Sequence, residues 1–515
     1  MPDASPALSR RALGTIFSCA VALGIAAELR AVQFTTPHML SRDGYYHARY
    51  ANLLPSRGLS RKFEWTQYSF WKDHFSDKEF LFHVWLAPFC RSEATMVAGA
   101  KFAAWLLAGA VIAAFAFALR ATGVRGPPIW AFALAGSGSH FIYRLSECRA
   151  HVLSIGFFIV GTALLLKGKW KWLAAVGFVY AWSYAAPHLL VAIALAHLAA
   201  TWIHNGKPEW RGAAAAAAGV FAGLLLHPYS PNSLHMWWVQ NVVVLQQTWG
   251  GSTMGLTWGD EFDAVPTRSL VTDSIGVFIS LAAGVILSVV SARAQRLSSR
   301  SFSLLFITFA TFGLYCLSGR FIEYFAPSAV WLLASVISDL LEGRDLAELW
   351  KTRQGSVTWV ATVAALLLTQ NHFHTVGRTM KEAGRVKGPV MSGAAKWVRA
   401  NVPAGANVGH LNWGDFVQLF ASDPDHRYIN GLDPAFMLVT DPPRIRYWEE
   451  VRTGKKPLDP VEFGDTFLTN VLVVTREVPR QVRICEDALL ERVYEDEGAI
   501  VYVLPKASRA EAEPK

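Results

Sequence analysis

Apolar positions along this chain gather into long unbroken runs, and eleven of them approach membrane length: 12–34, 94–119, 128–143, 150–166, 170–186, 187–204, 212–227, 271–292, 302–318, 321–341 and 356–371. A helix needs about 20 mostly apolar residues to cross a hydrocarbon core. The pattern therefore predicts a polytopic α-helical membrane protein with about 11 transmembrane helices. From about residue 372 the apolar runs shorten and Asp, Glu, Pro and Gly become frequent, so 1–371 reads as the membrane domain and 372–515 as a soluble one. Within the latter, Val390–Val402 reads as an amphipathic helix and Val471–Thr475 as a strand. Leu490–Tyr494 and Ala499–Leu504, joined by Glu495-Asp496-Glu497-Gly498, read as a hairpin, which makes the domain mixed α/β. Residues after Pro505 read as a frayed tail.

Composition agrees with this: of 515 residues 52% are hydrophobic and 17% charged, and mean hydropathy is +0.27. The net charge of +9 would suggest nucleic acid in a soluble protein. Here the basic residues follow topology instead: Arg10 and Arg11, Arg120 and Arg125, Lys167 to Lys171, Lys207 and Arg211, Arg293 to Arg300, and Arg344 to Arg353 all fall in alternate connections. The positive-inside rule then places the N-terminus in the cytoplasm and the C-terminal domain outside, with no nucleic-acid partner implied. The first run, with about 23 apolar residues, is longer than a signal-peptide core and reads as an anchor. Cys19, Cys90, Cys148, Cys316 and Cys485 have no paired spacing, which argues against zinc or a disulfide framework. Basic loops without organellar signals fit a bacterial inner membrane.

Two outer connections, near 35–93 and 228–270, are too long to be simple links, and their aromatic content argues against disorder. The first holds Arg42-Asp43-Gly44-Tyr45-Tyr46-His47, an acid beside two phenols and an imidazole just past the first span. The second holds Asp260-Glu261-Phe262-Asp263. Two further polar groups fall at outer turns: Tyr143-Arg144-Leu145-Ser146-Glu147-Cys148-Arg149-Ala150-His151 and Gly319-Arg320-Phe321. Carboxylates suit a hard divalent cation and guanidinium groups suit phosphate, so the combination points to chemistry on a phosphorylated lipid. Each has a plainer reading. Asp43 and the 260–263 acids could be solvated, and Arg144 and Arg149 could pair with Glu147 or anchor to membrane lipid. His83, His140, His151 and His188 read first as hydrogen-bonded structural residues, with His83 also kept as a substrate-binding candidate. Arg320, between two apolar spans, requires a counter-ion.

These motifs resemble the GT-C superfamily of polyprenyl-linked glycosyltransferases, most closely the catalytic subunit of oligosaccharyltransferase and its bacterial relatives. Asp43 in Asp-Gly-Tyr-Tyr-His matches the first acidic motif, Glu147 stands where the second would be, and Glu261 lies in the loop that supplies a further acid. Arg320 looks like the arginine set against the lipid phosphate, and Asn412-Trp413-Gly414-Asp415-Phe416 is similar to the C-terminal acceptor motif. The second motif has one carboxylate rather than a pair, and a glycine separates Trp413 from Asp415, so the acceptor need not be a sequon asparagine.

The resemblance implies an inverting sugar transfer from a polyprenyl phosphate or pyrophosphate at the outer membrane surface, to a protein, lipid or polysaccharide acceptor. It implies catalytic Asp43, Glu147 and Glu261, the same three holding Mg²⁺ or Mn²⁺, and substrate binding by Tyr46, His47, His83, Arg144, Arg149, Arg320, Trp413 and Asp415. The alternatives are transfer of a single sugar to a lipid or surface polysaccharide, a lipid-linked sugar flippase, and a scaffold without chemistry. Ionisable residues gather at one face rather than mid-span, which counts against transport.

Overall fold

The computed structural model describes residues 10–249, 256, 264–344 and 354–505. These form two compact units: one drawn from 1–36, 101–223 and 260–385, the other from 37–100, 224–259 and 386–515. The second unit thus takes in most of both long connections together with the C-terminal segment, while 260–270 falls in the first.

The first unit is helical. Among the described residues, five helices are long and apolar enough to cross a membrane, at Ala12–Phe34, Met96–Ala121, Ile275–Arg293, Ser299–Leu317 and Gly319–Leu340. His151–Leu166, Leu189–Asn205 and Trp210–Leu225 are shorter apolar helices, so length and composition alone support fewer crossings than the eleven expected. The Ile322–Leu340 helix is buried around nearly all of its surface, between Ile275–Arg293 and Ser299–Leu317, and its polar Ser328 and Asp339 are hydrogen-bonded to Thr311 and Arg300 of the latter. The expected span over 128–143 is instead two helices, Pro127–Ala135 and Ser139–Leu145. A side chain at Gly136 would meet His372 at 2.7 Å, and the Gly136 carbonyl accepts from Asn371 Nδ2 at 2.6 Å and Thr375 Oγ1 at 3.1 Å. The helix Gln354–Ala383 therefore packs against the break and satisfies its backbone. The polyalanine run 213–218 is a packing segment: a Cβ on Gly219 would lie 2.1 Å from the Ala174 carbonyl, so two helix backbones touch there.

In the second unit a five-stranded sheet has the order β2-β1-β3-β5-β4, where β1 is Asn407–His410, β2 Arg427–Tyr428, β3 Thr469–Thr475, β4 Glu491–Glu495 and β5 Ala499–Val503. β1 pairs in parallel with β2 and β3, and the β4–β5 hairpin closes the other edge in antiparallel. The expected strand and hairpin are present, and the expected helix runs over Ser392–Asn401. Pro442–Arg452 and Pro460–Phe467 start at proline behind aspartate caps: Asp441 accepts from Arg444 N, and Asp459 from Val461 N and Glu462 N. They bury Trp448, Phe463 and Phe467 against Leu472 and Val474 of β3. Each such side chain contributes about 1.5–3 kcal/mol on burial.

The first long connection is structured by the same sheet. Thr66 bridges Tyr428 in parallel, with Tyr428 N donating to Trp65 O at 2.7 Å and Gln67 N to Tyr428 O at 2.9 Å. Asp43–Arg57 is a helix, not a loop, and packs on the helix Phe416–Ser422; its Arg49 Nε donates to Ala421 O at 2.7 Å.

Candidate functional site

Two polar clusters stand out, one in each unit. The first begins at Asp43, which opens the Asp43–Arg57 helix and stays half-buried while Tyr45 to Ala51 are buried. An acid in a helix's first turn faces the positive end of the backbone dipole. One turn on, at i+4, is His47. Its Nδ1 lies 2.9 Å from Nε2 of His83 on the helix Phe80–Leu86, and 3.9 Å from Glu79 Oε2. His83 Nδ1 in turn lies 2.9 and 2.8 Å from the two carboxylate oxygens of Asp77. Tyr46 packs edge-on to both imidazoles, with ring centroids 5.1 and 5.8 Å away. Burial, reinforced by the Asp77, Glu79, Tyr229 and Asp43 charges, pushes its phenol well above the usual range and keeps it protonated. Among the described residues, His47, Glu79 and His83 are the three potential metal ligands that converge, their ligand atoms within 4.8 Å of one another. Sequence reasoning found His47 and His83 but missed Asp77 and Glu79, although an acid six residues before a histidine across a turn was visible.

The same unit holds Trp413 and Asp415. Asn412 Oδ1 accepts from Gly414 N at 3.2 Å, which folds the Trp413–Asp415 turn. Trp413 packs half-buried against the domain core, and Asp415 is 1% exposed. Burial, more than any neighbouring charge, pushes the Asp415 carboxyl up to about 8, so it is largely protonated at neutral pH.

In the first unit, Arg144 lies buried between two acids. Its Nε donates to Glu323 Oε1 at 2.9 Å, its Nη2 donates to the same oxygen, and its Nη1 is 3.3 Å from Glu147 Oε2. His151 Nε2 lies 2.8 Å from the Arg144 carbonyl and 3.6 Å from Glu147 Oε2. Arg149 is half-buried. Arg320, also half-buried, donates from Nη2 to Tyr184 OH at 3.0 Å. Behind it Ser154 Oγ joins the hydroxyls of Tyr180 and Tyr324, the latter at 2.6 Å. Glu323 was missed because it begins an apolar helix; the signal was the need of the nearby arginines for a counter-ion. Asp260, Glu261 and Asp263 lie outside the described residues.

No protein-family model matches the chain, and no curated protein matches it in sequence. Solved structures do match its fold. The apo oligosaccharyltransferase of Archaeoglobus fulgidus superposes with a TM-score of 0.66 at 13% identity, over 95% of this chain and 75% of that one. The same enzyme in complex with Zn and sulfate gives 0.62 at 13% identity, over 94% and 72%. ArnT from Cupriavidus metallidurans bound to undecaprenyl phosphate gives 0.58 at 14% identity, over 97% and 99%. The chain shares the fold of these two membrane enzymes, the fold class expected from the sequence.

Proposed function

We propose that this chain is an inverting membrane glycosyltransferase, moving a sugar or oligosaccharide from a polyprenyl phosphate or pyrophosphate to an acceptor at the outer face of a bacterial inner membrane. The observation that supports it best is the fold shared with an oligosaccharyltransferase and with ArnT bound to undecaprenyl phosphate. In the proposed step the bond between the anomeric carbon and the donor phosphate oxygen breaks as the acceptor attacks the opposite face of the sugar. The acceptor's proton passes to Asp43 and the lipid phosphate leaves with the electron pair. Half-exposure at a helix's first turn suits Asp43 to that task. Arg320, and Arg149 beside the second acidic position, would bind the leaving phosphate. Arg144 is already bound to two carboxylates and is better suited to positioning Glu147.

Asp43, Glu147 and Glu261 are an all-oxygen donor set of the kind that suits Mg²⁺ or Mn²⁺. To take a cation, Glu147 would have to give up its contact with Arg144, 3.3 Å away. When bound, the cation would neutralise charge on the departing phosphate. A second reading, transfer of a single sugar to a lipid or polysaccharide, is favoured by the burial of Asp415, which leaves the acceptor-like motif closed to a peptide.

The test is sugar transfer from a panel of polyprenyl-linked donors in nanodiscs, with and without EDTA, for wild type and Asp43→Asn. Release of lipid phosphate by the wild type, lost in the variant, supports the reading. Equal turnover by both removes Asp43 from the mechanism, and translocation of a donor without hydrolysis or transfer overturns the enzyme reading in favour of a flippase.

A further inference from the structure

The buried histidine pair has a geometry the transfer reaction does not use. We propose that His47 Nδ1, His83 Nε2 and Glu79 Oε2 form a binding site for a borderline divalent metal of the Zn²⁺ class, distinct from the all-carboxylate set above.

Three observations carry this. The first is tautomer control. Both oxygens of Asp77 face His83 Nδ1 at 2.8 and 2.9 Å, so that nitrogen carries the proton and Nε2 presents its lone pair towards His47 and Glu79. A carboxylate behind a histidine is the usual outer support of a metal-bound imidazole. Asp77 is itself pinned, Oδ1 accepting from Glu79 N at 3.0 Å, which ties the support and the third ligand to one short turn.

The second is spacing. Two ligands about 2.05 Å from a tetrahedral ion lie roughly 3.3 Å apart. The His47–His83 and His47–Glu79 separations, 2.9 and 3.9 Å, bracket that edge. Opening one by about 0.4 Å and closing the other by about 0.6 Å brings both to that edge, and the ligand atoms of all three residues already lie within 4.8 Å of one another. The third is the donor chemistry. Two imidazoles and one carboxylate favour zinc-like ions over Mg²⁺ or Ca²⁺. The site is dry on the imidazole side, where Tyr46, Tyr50, Phe82 and His83 itself pack around the rings, while Glu79 is the most exposed of the three ligands. Lys78 Nζ, 3.8 Å from Glu79 Oε1, is the cation a metal would compete with for that carboxylate.

The consequence is positional. The metal would clip the Asp43–Arg57 helix to the Phe80–Leu86 helix at His47, one turn from Asp43 on the same helix face. It would make His47 a positioning residue for the turn that presents Asp43.

Full-length protein in detergent, stripped with a chelator and reloaded, tests this independently of any sugar donor. Elemental analysis after gel filtration is expected to show one Zn²⁺ per chain, and Co²⁺ loading to give the visible bands of a four- or five-coordinate N/O site. His47→Ala and Glu79→Gln lose both signals, whereas Asp43→Ala and Glu147→Gln keep them. The proposal is overturned if reloaded wild type retains less than a tenth of an equivalent of Zn²⁺. It is equally overturned if Asp43→Ala and Glu147→Gln abolish binding while His47→Ala keeps it. Should His47→Ala fail to fold, the wild-type stoichiometry and Co²⁺ spectrum decide, with Glu79→Gln as the milder variant.

Discussion

Asp415→Asn isolates the cost of burying a carboxyl in the C-terminal segment. Asp415 is 1% exposed, and its Oδ2 makes no hydrogen bond among the described residues. Arg42 and Arg452 pull its pKa down and Glu477 pushes it up, but burial dominates and carries it from 3.8 to about 8. The folded-state value is raised, so the stability that the neutral acid allows is complete below the unfolded value of 3.8 and is lost as pH rises towards about 8. Within that window the unfolded chain releases a proton the folded chain keeps, at about 1.4 kcal/mol per pH unit. The loss at pH 7 is on the order of 4 kcal/mol. An asparagine carries no such proton. Wild type and variant should therefore be nearly equal in stability near pH 4.5, and the variant more stable by several kcal/mol at pH 8. Urea unfolding of the full chain in nanodiscs, followed by tryptophan fluorescence at a series of pH values, measures the gap. A gap that stays constant across the series, to within about 0.5 kcal/mol, refutes the argument.

Four further outcomes are expected. Arg144→Met should destabilise the first unit by about 3–5 kcal/mol, because it takes the guanidinium from two buried carboxylates, Glu323→Gln should cost less because Arg144 keeps Glu147, and the double variant should cost clearly less than the sum; additive losses in a denaturant series would show that the pair does not couple. Gly219→Leu should cost at least about 1–3 kcal/mol in the same assay, because the Ala174 carbonyl occupies the space; unchanged stability would mean that the two helices can part freely. Asp43→Asn should lower transfer by about 10²–10⁴-fold with donor binding retained; lost donor binding would make Asp43 a binding group. Arg320→Gln should raise the donor KM and lower kcat together, since the guanidinium would meet the phosphate in the ground state and more strongly as charge builds on it in the transition state; a change confined to protein yield would mark a structural role.

The membrane helices were legible because long apolar runs are a strong signal, and the β4–β5 hairpin because Glu495-Asp496-Glu497-Gly498 sits between two alternating segments. β1 and β2 were not, since Asn407-Val408-Gly409-His410 and the pair Arg427-Tyr428 have no strand pattern of their own and exist as strands because β3 offers a parallel edge. The Asp43–Arg57 helix was hidden for the opposite reason: Tyr45, Tyr46, Tyr50 and Leu54 are buried around most of its circumference, so no single apolar stripe marks it. Within the candidate site, acids beside apolar runs were readable one by one. The link from Asp77 through His83 to His47 was not, because residues 36 positions apart are joined only when the first connection folds back.

The two guanidinium groups near the outer turns also differ in a way no motif reveals. Arg144 shares its surroundings with Glu147 and Glu323, two carboxylates that already engage its guanidinium. A lipid phosphate brought to Arg144 would have to compete with both carboxylates in a buried setting, where such interactions are several-fold stronger than in water. Arg320 is hydrogen-bonded to the Tyr184 phenol, a partner without formal charge. A half-buried cation held by a neutral hydroxyl is fixed in place yet still attracts an anion. If the donor's phosphate binds within this unit, electrostatics therefore directs it to Arg320, and the effect is expected as a salt-dependent rise in donor KM for Arg320→Gln that Glu323→Gln does not reproduce. A salt response that is the same in both variants would show that Arg320 is not the residue that receives the anion.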